Sequence, residues 1–356
     1  ISVIPAAVAE AAIKSGVARK KIDDFEAYKD QLINRLDPSM SLMQGINAKI
    51  RKNQKRVIFA EGEDKNMLKA AIEFGKNKLG IPILIGAEKR IREQLKEIGL
   101  DENYKIEIIN STDKSKRDKY VKYLYGKLQR DGQLERDVDR LVRNDRIAWG
   151  SSMIACKDAD AMVTGNIRHY AASIEKLKKV VDSRPGEEIF GMTMLVSKGK
   201  TILVADTNVE DFPSAERLAN VSVSCVRVAR LFGFDPKVAF LSHSTFGKPV
   251  SKNTKHVRDA IELLKKRKVD FEFDGEMQPD VALNPIYQEI YPFSKIVGNA
   301  NILIMPALHS AAISTKLMKS FGGAKLIGPL LIGLGLPIEV APLRSSTSDI
   351  LNLASV

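Results

Sequence analysis

The chain reads as α/β, with two doubly wound domains of parallel or mixed sheet and a cleft between them. Three observations predict this. From residue 56 onward, short apolar runs of strand length alternate with amphipathic stretches of helical length, at spacings that suit right-handed βαβ units. One pair of runs is separated only by Lys198-Gly199-Lys200, a hairpin signal inserted into the α/β series. At 356 residues, 44% hydrophobic and 28% charged, the chain can bury two cores of ordinary globular composition.

Residues 1–40 stand apart. Pro5 sits in the first turn of an apolar helical pattern that Gly16 closes. Acidic Asp23 and Asp24 open a second helix, which Asp37-Pro38 breaks. Two such short helices carry no core of their own and must pack on something else. Strands follow at Val57-Ile58-Phe59-Ala60, at Ile81 to Gly86 and at Ile106 to Asn110, with a helix over 65–78 after the first. Two long helices are expected over 116–130 and 136–157, then a strand at Ala161-Met162-Val163-Thr164-Gly165. The hairpin strands cover 188–196 and 201–206, and a helix covers 214–231. Buried strands at 238–242 and 302–306 flank an element over 271–275 that ends in a turn. The domains are drawn as 1–40, a helical tail; 41–186 with 329–356, domain I; and 187–328, domain II. Ser183-Arg184-Pro185-Gly186 makes one crossing.

Several classes are excluded. No window approaches eighteen uninterrupted apolar residues, so no membrane span is expected. The apolar start lacks a basic region and is a poor signal peptide, and the first residue is not Met, as in a processed chain or a piece of one. Cys156 and Cys225 match no metal or redox spacing and read as buried apolar residues in a reducing cytoplasm. No metal site is expected from the four histidines. The net charge of +12 comes from positives dispersed over helical faces. It reads as a solvated surface rather than a nucleic-acid site, or as an attraction for a small polyanion.

Open α/β sheets bind ligands beyond the carboxyl ends of their strands. That rule selects the turns at Glu61-Gly62-Glu63, Thr164-Gly165-Asn166, Asp206-Thr207-Asn208, Asp274-Gly275-Glu276 and Pro306 to Ser310. The most suggestive is Ser242-His243-Ser244-Thr245-Phe246-Gly247-Lys248, where hydroxyls, a glycine and a cation can offer donors to a phosphate. His243 and His309 lack partners at a triad spacing, and Asp158 and Asp160 read as turn residues.

Taken together, these turns resemble the phosphate acetyltransferase family. The residues that carry the resemblance are Asp158 to Gly165, Val204-Ala205-Asp206, Leu241 to Thr245, Phe271 to Leu283, and Gly328-Pro329-Leu330-Leu331 with the stretch after it. The likeness runs from about Arg56 to Val356. It implies a fold with an interdomain cleft for CoA and a site of acetyl transfer to phosphate. Four positions depart. The family Ser–Arg pair of the C-terminal motif falls at Pro342 and Leu343, a second Arg at Glu175 and a third near Leu128. Asp349 matches the family's proposed base. Reacting phosphoryl groups need cations and oxyanion donors, so no catalytic residue is assigned. Arg168, Arg184 and Arg344 lie close enough in sequence to substitute. The retained frame implies a CoA-sized pocket at Gly165, Ser242, Ser244, Thr245, Gly247, Lys248, Arg344 and Asp349.

Residues 1–40, with Pro5 to Ala12 and Asp24-Phe25-Glu26-Ala27-Tyr28, resemble the end of the catalytic part of bacterial multidomain malic enzymes, and the stretch from Leu128 to Asp145 and Ser244-Thr245-Phe246-Gly247 resemble the acetyltransferase-like domain of that subgroup more than free-standing acetyltransferases. This implies a regulatory, oligomerising C-terminal domain that binds acetyl-CoA or CoA as effector. NADP and a divalent metal, Mg or Mn, would belong to a catalytic part outside these residues, where malate is oxidised and decarboxylated. No GxGxxG follows a strand here. The partners implied are that catalytic part and a second copy in a dimer. The alternative is an active phosphate acetyltransferase.

Overall fold

A computed structural model describes residues 3–18, 20, 22, 28, 38–101, 104–111, 113–197, 199–206, 209–249 and 251–356. Helix α1 (Val3–Lys14) ends before Gly16, whose φ is +76°. Val8 of α1 stays 63% exposed. The second helix expected from Asp23 lies outside the described residues apart from Tyr28. Helix α2 (Pro38–Lys52) places Met43, Ile46 and Ile50 against the main core.

Domain I continues with β1 (Lys55–Phe59), α3 (Lys65–Lys76), β2 (Gly80–Ile85), α4 (Glu88–Glu97), β3 (Glu107–Ile109) and α5 (Lys114–Leu128). Then come α6 (Glu135–Asn144), α7 (Arg146–Ala155), β4 (Ala161–Gly165) and α8 (Tyr170–Val180). The single helix expected over 136–157 is therefore two. Asp145 is extended, with φ −119° and ψ 117°, and its side chain accepts the Ile147 N–H to start α7.

Domain II holds β5 (Phe190–Ser197), β6 (Lys200–Ala205), α9 (Ala215–Leu231), β7 (Lys237–Leu241), α10 (Lys255–Arg267) and β8 (Glu272–Met277). After these come the short α11 (Pro279–Leu283) and α12 (Pro285–Gln288), then β9 (Ile302–Ile304), α13 (Leu308–Ser320) and β10 (Lys325–Ile332). The chain returns to domain I with β11 (Ile338–Ala341) and α14 (Thr347–Ser355).

The first sheet has the order β11-β4-β1-β2-β3 and is parallel throughout. The second has the order β10-β5-β6-β9-β7-β8. Its β10, β5 and β6 pair antiparallel, and β6, β9, β7 and β8 pair parallel. The expected hairpin is β5–β6, although Lys198 at its tip lies outside the described residues. Two expectations are corrected. The element over 271–275 does not end in a turn at Gly275, because β8 shifts register there and pairs with β7 through Met277. The boundary at 328/329 falls inside β10, which stays hydrogen-bonded to β5 through Ile332. The second crossing therefore lies at 333–337. It runs beside the first: Gly335 N donates to Asp182 O and Arg184 N to Gly333 O.

One apolar core spans both domains. It joins Phe59, Phe74 and Leu84 of domain I to Phe190, Met192 and Phe240 of domain II, with Ile350 and Leu353 of α14 in the same cluster. A second core lies under α5–α8, and a third covers the other face of the domain II sheet. Burying the face of a parallel strand on both sides explains why these strands read as continuous apolar runs.

Candidate functional site

The order of each sheet fixes where a ligand can bind. In domain I the chain leaves β1 in one direction to β2 and β3, and in the other to β4 and β11. The crevice therefore opens at the carboxyl ends of β1 and β4. Glu61, just after β1, is wholly buried. Its carboxyl accepts from the Thr164 hydroxyl and the Gly165 N–H, both at 3.0 Å. Burial pushes the Glu61 carboxyl up to about 7, against the opposing pull of Thr164, Arg168, Arg146 and Gly165. Around it, Arg146 pairs with Glu63 at 3.1 Å, and Lys176 and Arg168 both approach Asp145. Asp64 caps α3 and accepts from the Asn166 side chain.

A pH dependence follows. Glu61 is held near 7 when folded, against 4.5 for a free carboxyl, and burial pushes Glu339 up to about 8. Both groups favour the folded state fully below pH 4.5, and that contribution is lost as pH rises toward 7 and 8. For Glu61 the loss is about 3 kcal/mol. Glu61→Gln, whose amide can face Thr164 and whose oxygen can accept from Gly165, is expected to flatten this slope. Chemical denaturation of parent and variant at pH 5 and pH 8 checks it, and identical slopes would refute the assignment.

In domain II, β7 leads on to β8 on one side, while β9 lies on its other side. At the carboxyl ends of β7 and β9 lies a cavity of about 1140 Å³. Leu241 and Ser242 form one wall, Met305 and Pro306 another, and the starts of α9, α10 and α13 surround them. His256 Nε2 lies 3.1 Å from Pro306 O, and the His309 and Phe212 rings lie 5.7 Å apart, tilted by 52°.

The expected pocket residues divide between these two places. Ser242 and His243 line the domain II cavity, but Ser244 to Lys248 do not. The Ser244 hydroxyl and the Gly247 N–H both donate to Glu276 Oε1 at 2.9 Å. Thr245 Oγ1 accepts from Gln278 N, and Lys248 is exposed outside the cavity wall. Gly165 and Arg344 both lie in domain I, where Asn166 N donates to Ala341 O and Arg344 N donates to Asn166 O at 2.9 Å. Asp349 closes a capping box at the start of α14, accepting from the Ser346 N–H and hydroxyl. None of Gly165, Arg344 or Asp349 lines the domain II cavity.

At the departed positions, Pro342 O accepts from Ser345, Leu343 is 44% exposed, Glu175 is exposed on α8, and Leu128 is buried beside Arg140 and Lys176. Sequence reasoning marked the turns holding Glu61 and Glu276 but not these carboxylates, because burial of an acid between two strands leaves no local pattern. Among the described residues, no group of three His, Cys, Asp or Glu is placed to hold a metal. None of the described helices is long and apolar enough to cross a membrane.

Residues 41–356 match the phosphate acetyl/butaryl transferases. The chain belongs to this family. A phosphate acetyltransferase from Clostridium acetobutylicum is 30% identical over 89% of this chain and 97% of its own length. A phosphotransacetylase from Streptococcus pyogenes superposes with a TM-score of 0.82 at 29% identity, over 89% of this chain and 96% of that one. The phosphate acetyl/butaryl transferase fold is thus shared over both domains. An NADP-dependent malic enzyme from Rhizobium meliloti is more similar in sequence, 44% identical over the whole chain. The chain spans about half the length of the malic enzymes it matches, 47% in that case, and aligns with their C-terminal portion.

Proposed function

We propose that this phosphate acetyltransferase-like chain is the regulatory and oligomerising part of a malic enzyme and that it binds acetyl-CoA or CoA without transferring acetyl groups. One observation carries the reading. The fold and a large cavity persist, while the positions that resemble the family's reacting Ser and Arg residues are Pro342, Leu343, Glu175 and Leu128. A protein with such a cavity and without the cations could still recognise CoA, because binding draws on the whole ligand and catalysis on the reacting group alone. NADP and a divalent cation would act in a catalytic part outside this chain, in oxidative decarboxylation of malate to pyruvate in the cytoplasm. Control by acetyl-CoA would then be a reciprocal coupling between two sites. Isothermal titration of the chain with acetyl-CoA is expected to give saturable heat below millimolar concentration, and its absence at that concentration would sink the reading.

A second copy of the chain is the proposed partner of domain II. Helix α13 buries only its small Ala311 and Thr315 and exposes Ile313, Leu317 and Phe321, the last by 92%. Residues at i, i+4 and i+8 share one helix face, and an apolar stripe turned outward marks an interaction site. Ile290 and Phe293, 65% and 63% exposed, belong to segments that cover the same face of the sheet. Light scattering should give twice the chain mass, and a monomer at tens of micromolar would overturn the proposal.

A further inference from the structure

We infer that a second cavity, between the two domains and beside their crossings, binds an amphipathic monoanion: an apolar chain ended by one carboxylate. This goes beyond the effector reading, and the cavity shares no lining residue with the one in domain II.

The cavity measures about 410 Å³, within the range of small-molecule sites. Val57, Phe74 and Leu353 of domain I face Val228, Phe232 and Leu330 of domain II across it. Both crossings reach it, one through Arg184 and the other through Pro337. Lys55, Ala161 and Ile338 are the first residues of β1, β4 and β11, and all three line it. It therefore lies at the amino edge of the first sheet. Gly165, the last residue of β4, and Arg344, beyond the end of β11, lie at the carboxyl edge. Apolar walls of this extent favour a hydrocarbon chain over water.

Charge complementarity selects the headgroup. The described cations of the wall are Lys55, Arg184 and Arg227, and Glu339 is its one described acidic side chain. Arg227 is paired with Glu187 at 2.8 Å. The Arg184 backbone N–H is tied to Gly333 O, whereas its guanidinium has no hydrogen bond or ion pair among the described residues. Glu339 Oε2 accepts the Leu331 N–H at 2.8 Å. Burial pushes the Glu339 carboxyl up to about 8, so near neutral pH it is largely uncharged and does not repel an anion. A guanidinium at the rim of an apolar wall suits a carboxylate, which its planar fork can hold by two parallel hydrogen bonds. The chain would lie along the apolar walls, with its head at Arg184.

The 356-residue chain is titrated with octanoate and with the neutral 1-octanol, by calorimetry and by backbone amide shifts. A single octanoate per chain is expected, moving the amides of Arg184, Leu331 and Gly333 and binding about tenfold more tightly than 1-octanol. Arg184→Glu changes an exposed side chain and keeps the fold. It should weaken octanoate about tenfold or more by reversing the charge at the head, and leave 1-octanol unchanged. Ala354→Phe places a ring at the wall of the cavity and should weaken both ligands. These results together support the site. Absence of saturable octanoate binding at millimolar concentration overturns it, as does parental affinity in both variants. Several octanoates per chain, unaffected by either change, would be detergent-like adsorption and also overturn it. Equal affinity for octanoate and 1-octanol, with Arg184→Glu silent, overturns the anionic headgroup and the proposal with it.

Discussion

Incubated with acetyl-CoA and phosphate, the chain is expected to release CoA thiol at least four orders of magnitude more slowly than an active phosphotransacetylase. The reacting centre explains the size of the effect. Attack of phosphate on a thioester develops charge that must be met by donors already in place, and losing one such donor typically costs about 10² to 10³ in rate. Here Pro342 has no N–H or side-chain donor, Leu343 is apolar, and Glu175 carries the wrong sign. Arg344 is one residue away, but its backbone is tied to Asn166. Asp349, the family's proposed base by resemblance, has its carboxyl engaged by the Ser346 N–H and hydroxyl at the start of α14. Asp349→Asn should therefore weaken a helix cap by about 1 kcal/mol and leave the negligible turnover unchanged. A thiol-release assay with the reactive disulfide of a colorimetric reagent reads both. Robust turnover abolished by Asp349→Asn would show an active transferase instead.

Gly333→Ala is expected to destabilise the chain by about 4 kcal/mol or more. Gly333 has φ +88°, and a Cβ there would lie 2.0 Å from Glu188 O and 2.7 Å from its carbonyl carbon. Those are backbone atoms at the entrance of β5, so no side-chain rotation can relieve the clash. The same residue accepts the Arg184 N–H across the two interdomain crossings. Moving Gly333 away breaks the antiparallel contact that holds the domains in register. Gly186 is the control, with φ +76° and nothing within 4 Å of an added Cβ. Gly186→Ala should cost about 1 kcal/mol from backbone strain alone. Urea denaturation of the three proteins checks the difference, and equal losses at both glycines would mean that the crossing contact carries no weight.

Much of the fold was legible because burial on both faces leaves a local trace. Val57 to Ala60 and Val238 to Leu241 are uninterrupted apolar runs at strand length, and both are strands. The helix expected over 214–231 is α9, which Ser214 caps by accepting the Arg217 N–H. The failures also have local causes. Asp145 sits inside a pattern that is helical on both sides, and only its side-chain bond to Ile147 N shows that a new helix begins there. Gly328-Pro329 looks like a boundary, yet the strand continues past it because β5 offers partners on both sides of the irregularity.

The site was legible only as a set of turns. Strand ends can be read from sequence, so Ser242 and Gly165 were placed correctly at the carboxyl edges of β7 and β4. Which donors stay free is set by neighbours far along the chain. Glu276, 32 residues beyond Ser244, takes the hydroxyl and amide that looked available for phosphate. Glu61, 103 residues before Thr164, is held by that hydroxyl. The sequence by itself determined the strands, most helices and the family frame, because each depends on residue type within one short segment. Only the tertiary structure decided that Glu276 takes the donors of Ser244 and Gly247, that Asp349 caps a helix, and that two crossings lock at Gly333. Those depend on which segments the sheet order brings side by side, and hydrogen bonds act across space without regard to separation along the chain.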